Sequence, residues 1–208
     1  MERATIKGFK EESNIEIIES IMKMNNGYVT SKELDNYGIH RMYLNTMWKK
    51  GTVEKVANGI YIDSSKIEDS YYVFSLSMSN TIYSHMTALY FHDLSIKAPN
   101  DKYDITVRKS YNSKHLKNQD VFYVSDDTYE LGLTEVKTPM GNKVRAYDTE
   151  RCICDIIRSK NRMDSEHVKY SIREYIKRKD KDLIKLSKYA DKMGIKKEVM
   201  DFIEVFYE

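Results

Sequence analysis

The chain has 208 residues, with 34 Lys and Arg against 32 Asp and Glu, a formal net charge of +2 that by itself announces no partner. Hydrophobic residues at 41%, a mean hydropathy of −0.63, 17 Tyr and only 2 Pro exclude both a membrane-embedded and a disordered chain. The charge is unevenly spread: ten basic against nine acidic residues over 1–66, nine against twelve over 67–150, and fifteen against eleven over 151–208.

In chain order, Ile15, Ile17, Ile18, Ile21 and Met22 recur at helical spacing behind Glu11, Glu12, Glu16 and Glu19, predicting a first helix over roughly 13–25. Asn25-Asn26-Gly27 breaks it. Tyr28-Val29 extends briefly, and Thr30 with Glu33 three residues on spells a capping box that opens a second helix over 30–36. Gly38 ends that helix. A third, over about 40–50, turns Leu44, Met47 and Trp48 inward before Gly51 stops it. Val53, Val56, Ile60 and Ile62 then flank Asn58-Gly59, a dipeptide suited to a type I′ hairpin turn. Helix, helix, turn, helix and hairpin in this order make a winged helix-turn-helix, whose third helix enters the major groove while the hairpin lies on the backbone.

Residues 64–69 read as a polar junction, so the domains are placed at 1–66 and 67–208. Helices are expected over 71–78 and over 84–91, the latter capped by Ser84. KYDITVRK and VFYVSD alternate as strands, and TEVKTPMGNKVRAY forms a hairpin turning at Gly141-Asn142. From about Thr149 the pattern is helical: Ile153, Ile156 and Ile157; then Val168, Ile172 and Ile176; then 183–193 and 199–206. The fold class is α+β: an N-terminal winged helix-turn-helix, then an α+β domain with a helical C-terminal tail.

With its apolar residues turned inward, the third helix leaves His40, Arg41, Tyr43, Asn45, Thr46 and Lys49 for bases and phosphates. Arg41 suits guanine and Asn45 adenine, while Tyr43 has a second reading as a core residue. Lys50, Lys55 and Asn58 belong to the wing, and Ser31 and Lys32 open the second helix, where backbone N–H groups favour a phosphate. Over residues 40–56 four basic side chains face only Glu54, a local charge of +3. The same pattern also describes a small helical domain with a solvated face, or a winged helix that contacts protein. Arg173, Lys177, Arg178, Lys179, Lys181 and Lys185 form a candidate second basic surface on DNA, against the simpler reading of a solvated helix junction.

Several motifs together resemble the AbiE-type antitoxins of the AbiEi family. They are Gly38-Ile39-His40-Arg41 with Leu44 and Gly51; Asn58-Gly59-Ile60-Tyr61; Ser84-His85-Met86-Thr87-Ala88-Leu89 with His92-Asp93-Leu94; and Glu150-Arg151-Cys152-Ile153-Cys154-Asp155-Ile156. The resemblance implies a repressor that binds double-stranded operator DNA at its own promoter. It also implies a C-terminal antitoxin domain that counters a nucleotidyltransferase-like toxin of a type IV, abortive-infection system against phage. No stable complex with the toxin and cooperative self-association on repeated sites are implied too. No enzymatic activity and no cofactor are expected. Beyond about residue 160 no family motif is visible.

Other chemistry has weaker support. His85 and His92, seven apart on one predicted helix, lack a third metal ligand. Cys152 and Cys154 are too close to bridge without strain and read as reduced core thiols, which suits the cytosol. No apolar run approaches the ~20 residues that cross a bilayer, and MERATIKGFKEESN lacks a signal-peptide core, so a cytoplasmic location without membrane contact is expected. The alternative function is a winged-helix protein with a metal-dependent nuclease domain: Asp101 or Asp104 with Glu135-Val136-Lys137 imitates that acid and Glu-x-Lys pattern. Arg151 and Asp155, at i and i+4, suit a structural ion pair at the joint between hairpin and tail, with toxin recognition as the other reading.

Overall fold

The computed structural model describes residues 14–99 and 102–205. The expectations for the leading segment with Glu11 and Glu12, and for Asp101 and Phe206, lie outside them. The chain is a mixed α+β protein whose contacts divide it into two units, Met1–Ser77 and Met78–Glu208.

In the first unit, α1 (Asn14–Met24) buries Ile18, Ile21 and Met22. It closes where Asn26 takes a φ of 53° and Gly27 N donates to the Met22 carbonyl at 2.7 Å. β1 (Tyr28–Thr30) is more than a brief extension, since it pairs antiparallel with β3 (Ile60–Asp63). α2 (Ser31–Asn36) is capped by Thr30, whose Oγ1 accepts from Glu33 N at 3.0 Å. The reciprocal half of the capping box is missing, because the Glu33 carboxylate instead accepts from Asn25 Nδ2 at 2.7 Å.

α3 (Met42–Lys49) starts two residues later than expected, after His40 Nδ1 accepts from Met42 N at 3.2 Å. Leu44 and Met47 are buried, but Trp48 is 50% exposed, correcting its inward assignment. Each residue steps about 100° around a helix. With Tyr43, Leu44 and Met47 centred on the core, Trp48 is carried to the rim. The hairpin of β2 (Val53–Ala57) and β3 also departs from the expected turn. Gly59 has a φ of +72° while Asn58 is not left-handed, and the register slips between Lys55 and Ala57. One left-handed residue beside a bulge replaces the two that a type I′ turn requires.

The three-stranded sheet, ordered β1-β3-β2, packs one face on α1–α3 through Val29, Val53 and Tyr61 against Ile18, Leu34 and Leu44. Its other face, with Tyr28, Ile60 and Ile62, is covered by Val73, Tyr72 and Leu76 of α4 (Ser70–Ser77). Asp69 caps α4 by accepting from Tyr71 N and Tyr72 N, each at 3.2 Å, and its own N–H donates to the Tyr28 hydroxyl at 2.7 Å. This helix therefore belongs with the first unit, and the division falls at 77/78 where the junction composition had suggested 66/67.

The second unit holds a five-stranded sheet in the order β6-β5-β4-β8-β7. Its strands are β4 (Ile82–Tyr83), β5 (Asp104–Arg108), β6 (Asp120–Val124), β7 (Leu133–Lys137) and β8 (Lys143–Tyr147). β4 with β8 and β5 with β6 run parallel; β4 with β5 and β7 with β8 run antiparallel. α5 (His85–Phe91) follows β4, and α6 (Asp126–Tyr129) follows β6. α7 (Thr149–Arg158) buries every residue from Glu150 to Ile157 and packs on α5, on α8 (Ser165–Lys177), on α9 (Leu183–Lys192) and on α10 (Lys196–Glu204). No helix of the described residues is long and apolar enough to cross a membrane.

Candidate nucleic-acid interface

The sequence-selected residues of the first unit fall on the solvent side of α2, α3 and the β2–β3 hairpin. Lys32, His40, Arg41, Asn45, Thr46, Lys49, Lys50, Lys55 and Asn58 are exposed; Ser31 is half-buried, and so is Tyr43, which packs on the core. Leu44 and Met47 hold α3 from below, so Met42, Asn45, Thr46 and Lys49, three and four residues apart, share its outer face. That helix carries no acid.

Several polar groups of this face are already engaged. Asn45 Oδ1 accepts from the Tyr61 hydroxyl of β3 at 3.2 Å, and Thr46 Oγ1 donates to the Met42 carbonyl at 3.1 Å. Ser31 N donates to the Gly59 carbonyl at 2.7 Å, pinning the tip of the β2–β3 hairpin to the start of α2. Of the free N–H groups expected there for a phosphate, those of Ser31 and Glu33 are therefore taken. Met42, 57% exposed, was not among the expected contacts. A helix start at 42 instead of 40 is the shift that would have drawn attention to it.

The candidate second basic surface is not uniform. Lys185 Nζ sits 2.9 Å from Asp148 and 3.1 Å from Glu150, tying α9 to the first turn of α7. Burial pulls its pKa down, but bonds to the two carboxylates outweigh this and raise it. Arg178 donates to the His92 carbonyl at 2.9 Å and to Asp180 at 2.6 Å; the bond to Asp180 raises its pKa and lowers that of Asp180 to about 2. Lys181 donates to the Arg178 carbonyl and Lys177 pairs with Glu174. Arg173 and Lys179 are exposed.

Glu150 to Ile156 and most of Ser84 to Leu89 lie in the interior of the second unit, while His92 is half-buried and Asp93 exposed. Arg151 and Asp155 pair at 3.0 Å with both side chains at 0% exposure. Arg151 also donates to the Thr128 and Leu131 carbonyls at 2.6 and 2.8 Å and lies over the Tyr147 ring. Burial pushes the Asp155 carboxyl up, opposed by Arg151 and by Arg158 at 3.1 Å. Gly132, at a φ of +76°, passes so close that a Cβ there would lie 2.6 Å from the Arg151 Cβ. These residues join the β7–β8 hairpin to the tail.

His85 and His92 do not converge. His85 is buried, its ring nitrogens bonded to Ser84 and Ser159 and its face stacked on Phe122; burial and then nearby arginines hold its pKa well down. His92 Nε2 donates to the Tyr147 carbonyl at 2.8 Å. Cys152 and Cys154 are free buried thiols facing different partners, and burial pushes Cys154 up to about 12.

Among the described residues the nuclease pattern is not brought together, and Asp101 lies outside them. Asp104 is on β5 while Glu135 and Lys137 are on β7, with β4 and β8 between them, a separation of roughly 14 Å at the usual strand spacing. Glu135 pairs with Lys143 across the hairpin. Among the described residues no three His, Cys, Asp or Glu side chains are grouped to hold a metal ion.

Comparison with known proteins adds three findings. No curated protein matches the chain. The crystal structure of the RV2827C protein from Mycobacterium tuberculosis is similar at 11% identity and a TM-score of 0.48, over 90% of this chain and 79% of that one. Residues 16–62, from α1 through most of β3, match the family model described as "Transcriptional regulator, AbiEi antitoxin". The similarity to the AbiEi antitoxin and transcriptional-regulator family thus lies within the first unit, over residues 16–62.

Proposed function

We propose that the first unit is a winged helix-turn-helix that binds double-stranded operator DNA, with α3 in the major groove and the β2–β3 hairpin along the phosphates, so that the protein represses its own operon. The observation that carries this reading is the outer face of α3: it has no acid, is framed by Arg41, Lys49, Lys50 and Lys55, and lies inside the segment that matches transcriptional regulators. A cluster of bases on one helix and its wing is the electrostatic footprint of a phosphate-bound module.

The second unit is read as the antitoxin domain of a type IV system. It would counter a nucleotidyltransferase-like toxin in abortive phage infection without a stable complex, acting in the cytoplasm by binding and not by catalysis. Support comes from the resemblance of residues 84–94 and 150–156, whose helices α5 and α7 pack together. Cooperative self-association on repeated sites is part of the same reading.

Binding to the DNA upstream of the gene tests the first half. Arg41→Ala is expected to weaken that complex by ~1–3 kcal/mol beyond its effect on random DNA, and Lys50→Ala to weaken both alike while flattening the salt dependence by about one unit of slope. Equal loss in both variants removes Arg41 from the bases. Rescue of growth on co-expression with the neighbouring toxin gene tests the second half, and failure to rescue overturns it. DNA cleavage by the purified protein with magnesium or manganese would overturn the non-enzymatic reading.

A further inference from the structure

The outer face of α3 offers an unusual combination for a groove-facing helix. Met42 is 57% exposed, and Thr46 stands one turn further along the same face. Thr46 has already given its hydroxyl proton to the Met42 carbonyl at 3.1 Å, so it presents its γ-methyl but no donor. Asn45, between them, has its Oδ1 held by the Tyr61 hydroxyl at 3.2 Å, which orients the amide and leaves Nδ2 to donate. The face thus carries an amide donor flanked by two apolar groups, inside a frame of Arg41, Lys49 and Lys50.

Only one base has a matching edge in the major groove. Thymine shows an O4 acceptor beside a C5 methyl; guanine shows two acceptors and no methyl, adenine an acceptor beside a donor, and cytosine a donor. An asparagine that reads adenine must also accept from N6 on its amide oxygen; here Tyr61 takes one of that oxygen's two lone pairs and fixes the amide, and adenine has no methyl for Met42 and Thr46 to cover. On the reading of the first unit as a DNA-binding module, we propose that α3 recognises thymine: Asn45 Nδ2 donates to O4 while Met42 and Thr46 cover the C5 methyl. This replaces the expected pairing of Asn45 with adenine.

The test uses the full chain and a random-sequence duplex library. Trp48, the single tryptophan of the chain and half exposed on α3, reports occupancy by its fluorescence. Duplexes selected by the protein are expected to hold thymine at the α3 contact. Replacing that thymine by deoxyuridine, which removes the methyl and leaves O4, is expected to lower affinity by about threefold to tenfold. Met42→Ala and Thr46→Ser, both on the exposed face, are expected to lose affinity on the thymine duplex and to lose less on the deoxyuridine duplex, as contacts sharing one methyl group must.

Selected duplexes without thymine, or equal affinity for thymine and deoxyuridine duplexes, overturn the proposal and leave the DNA-binding reading standing. Failure to bind any duplex overturns both.

Discussion

The first unit closes its core with Ile18, Leu34, Leu44 and Val53 and leaves the lysines and arginines among its described residues outside, whereas the second carries Arg151 and Asp155 at 0% exposure in the middle of its helices. Among the described residues of the first unit Asp69 is the only buried polar side chain, as the cap of α4. In the second, Glu150, Arg151, Asp155 and His85 are all buried. A charge at the surface costs little to hold and is available to a ligand; a charge inside is held by its partners and serves the fold. Substitutions of charge should therefore separate binding from stability in one unit and not in the other.

The largest effect is expected for Arg151→Ala. It strands the Asp155 carboxylate with Arg158 alone and removes the Arg151 donor from the Leu131 carbonyl and from the Thr128 carbonyl, which keeps only Leu131 N and the α6 cap, a loss of ~3–5 kcal/mol. Hydrogen exchange should rise throughout α7 and the β7–β8 hairpin. Replacing both partners, as Arg151→Met with Asp155→Leu, should recover much of the loss, because no buried charge is then left alone. A drop under about 1 kcal/mol in the single variant would mean that the pair is not what holds the hairpin to the tail.

Leu44→Ala in the first unit is the apolar counterpart. Its side chain is fully buried under α3, and truncation should cost ~2–5 kcal/mol, with exchange rising in α1–α3 and a similar loss at every pH. A strong pH dependence of that loss would break the contrast between the two cores.

How far the sequence could be read follows the same division. The helices of the first unit and the four of the tail are encoded by local periodicity and by breaks such as Asn25-Asn26-Gly27, so those of the first unit were legible to within two residues, while the last tail helix begins at Lys196, three residues before the expected 199. β4 is two residues, Ile82 and Tyr83, and exists only because β5 and β8 pair on its two sides; no local pattern announces it. α6 is four residues long and equally silent. On α3 the types of side chain were legible, but what remains available on them was not. The engagement of Asn45 by Tyr61 and the exposure of Trp48 depend on where the sheet lies under the helix.

Acid-base behaviour should expose the difference more gently. Asp104 on β5 accepts from Met86 N at 3.0 Å, yet burial, with Asp120 adding to it, lifts its pKa from 3.8 to about 7; Arg162 opposes this. A carboxyl whose folded pKa is raised supports stability fully below about pH 4 and loses that support as pH rises through about 7. The slope is at most ~1.4 kcal/mol per pH unit. Asp104→Asn keeps an acceptor for Met86 N and should flatten this interval. A second unit whose stability in the native protein is level between pH 4 and 7 would show that Asp104 ionises freely.

The smallest stability effects are expected where the binding effects are largest. Arg41 and Lys50 are exposed and anchor no buried group of the first unit, so Arg41→Ala and Lys50→Ala should each change unfolding free energy by less than about 0.5 kcal/mol. Removing like charge from a basic face even relieves some repulsion, so a slight gain at low salt is consistent and should vanish as salt screens the face. Urea unfolding of each variant beside its DNA titration measures the two quantities on the same protein. If Arg41→Ala lost stability in proportion to its lost binding, the guanidinium would have to be part of the scaffold of α3. Its affinity deficit would then say nothing about bases. Stability held constant with affinity reduced is the outcome that makes the charge of this unit available to a ligand, in the way that Arg151, closed inside the other, is not.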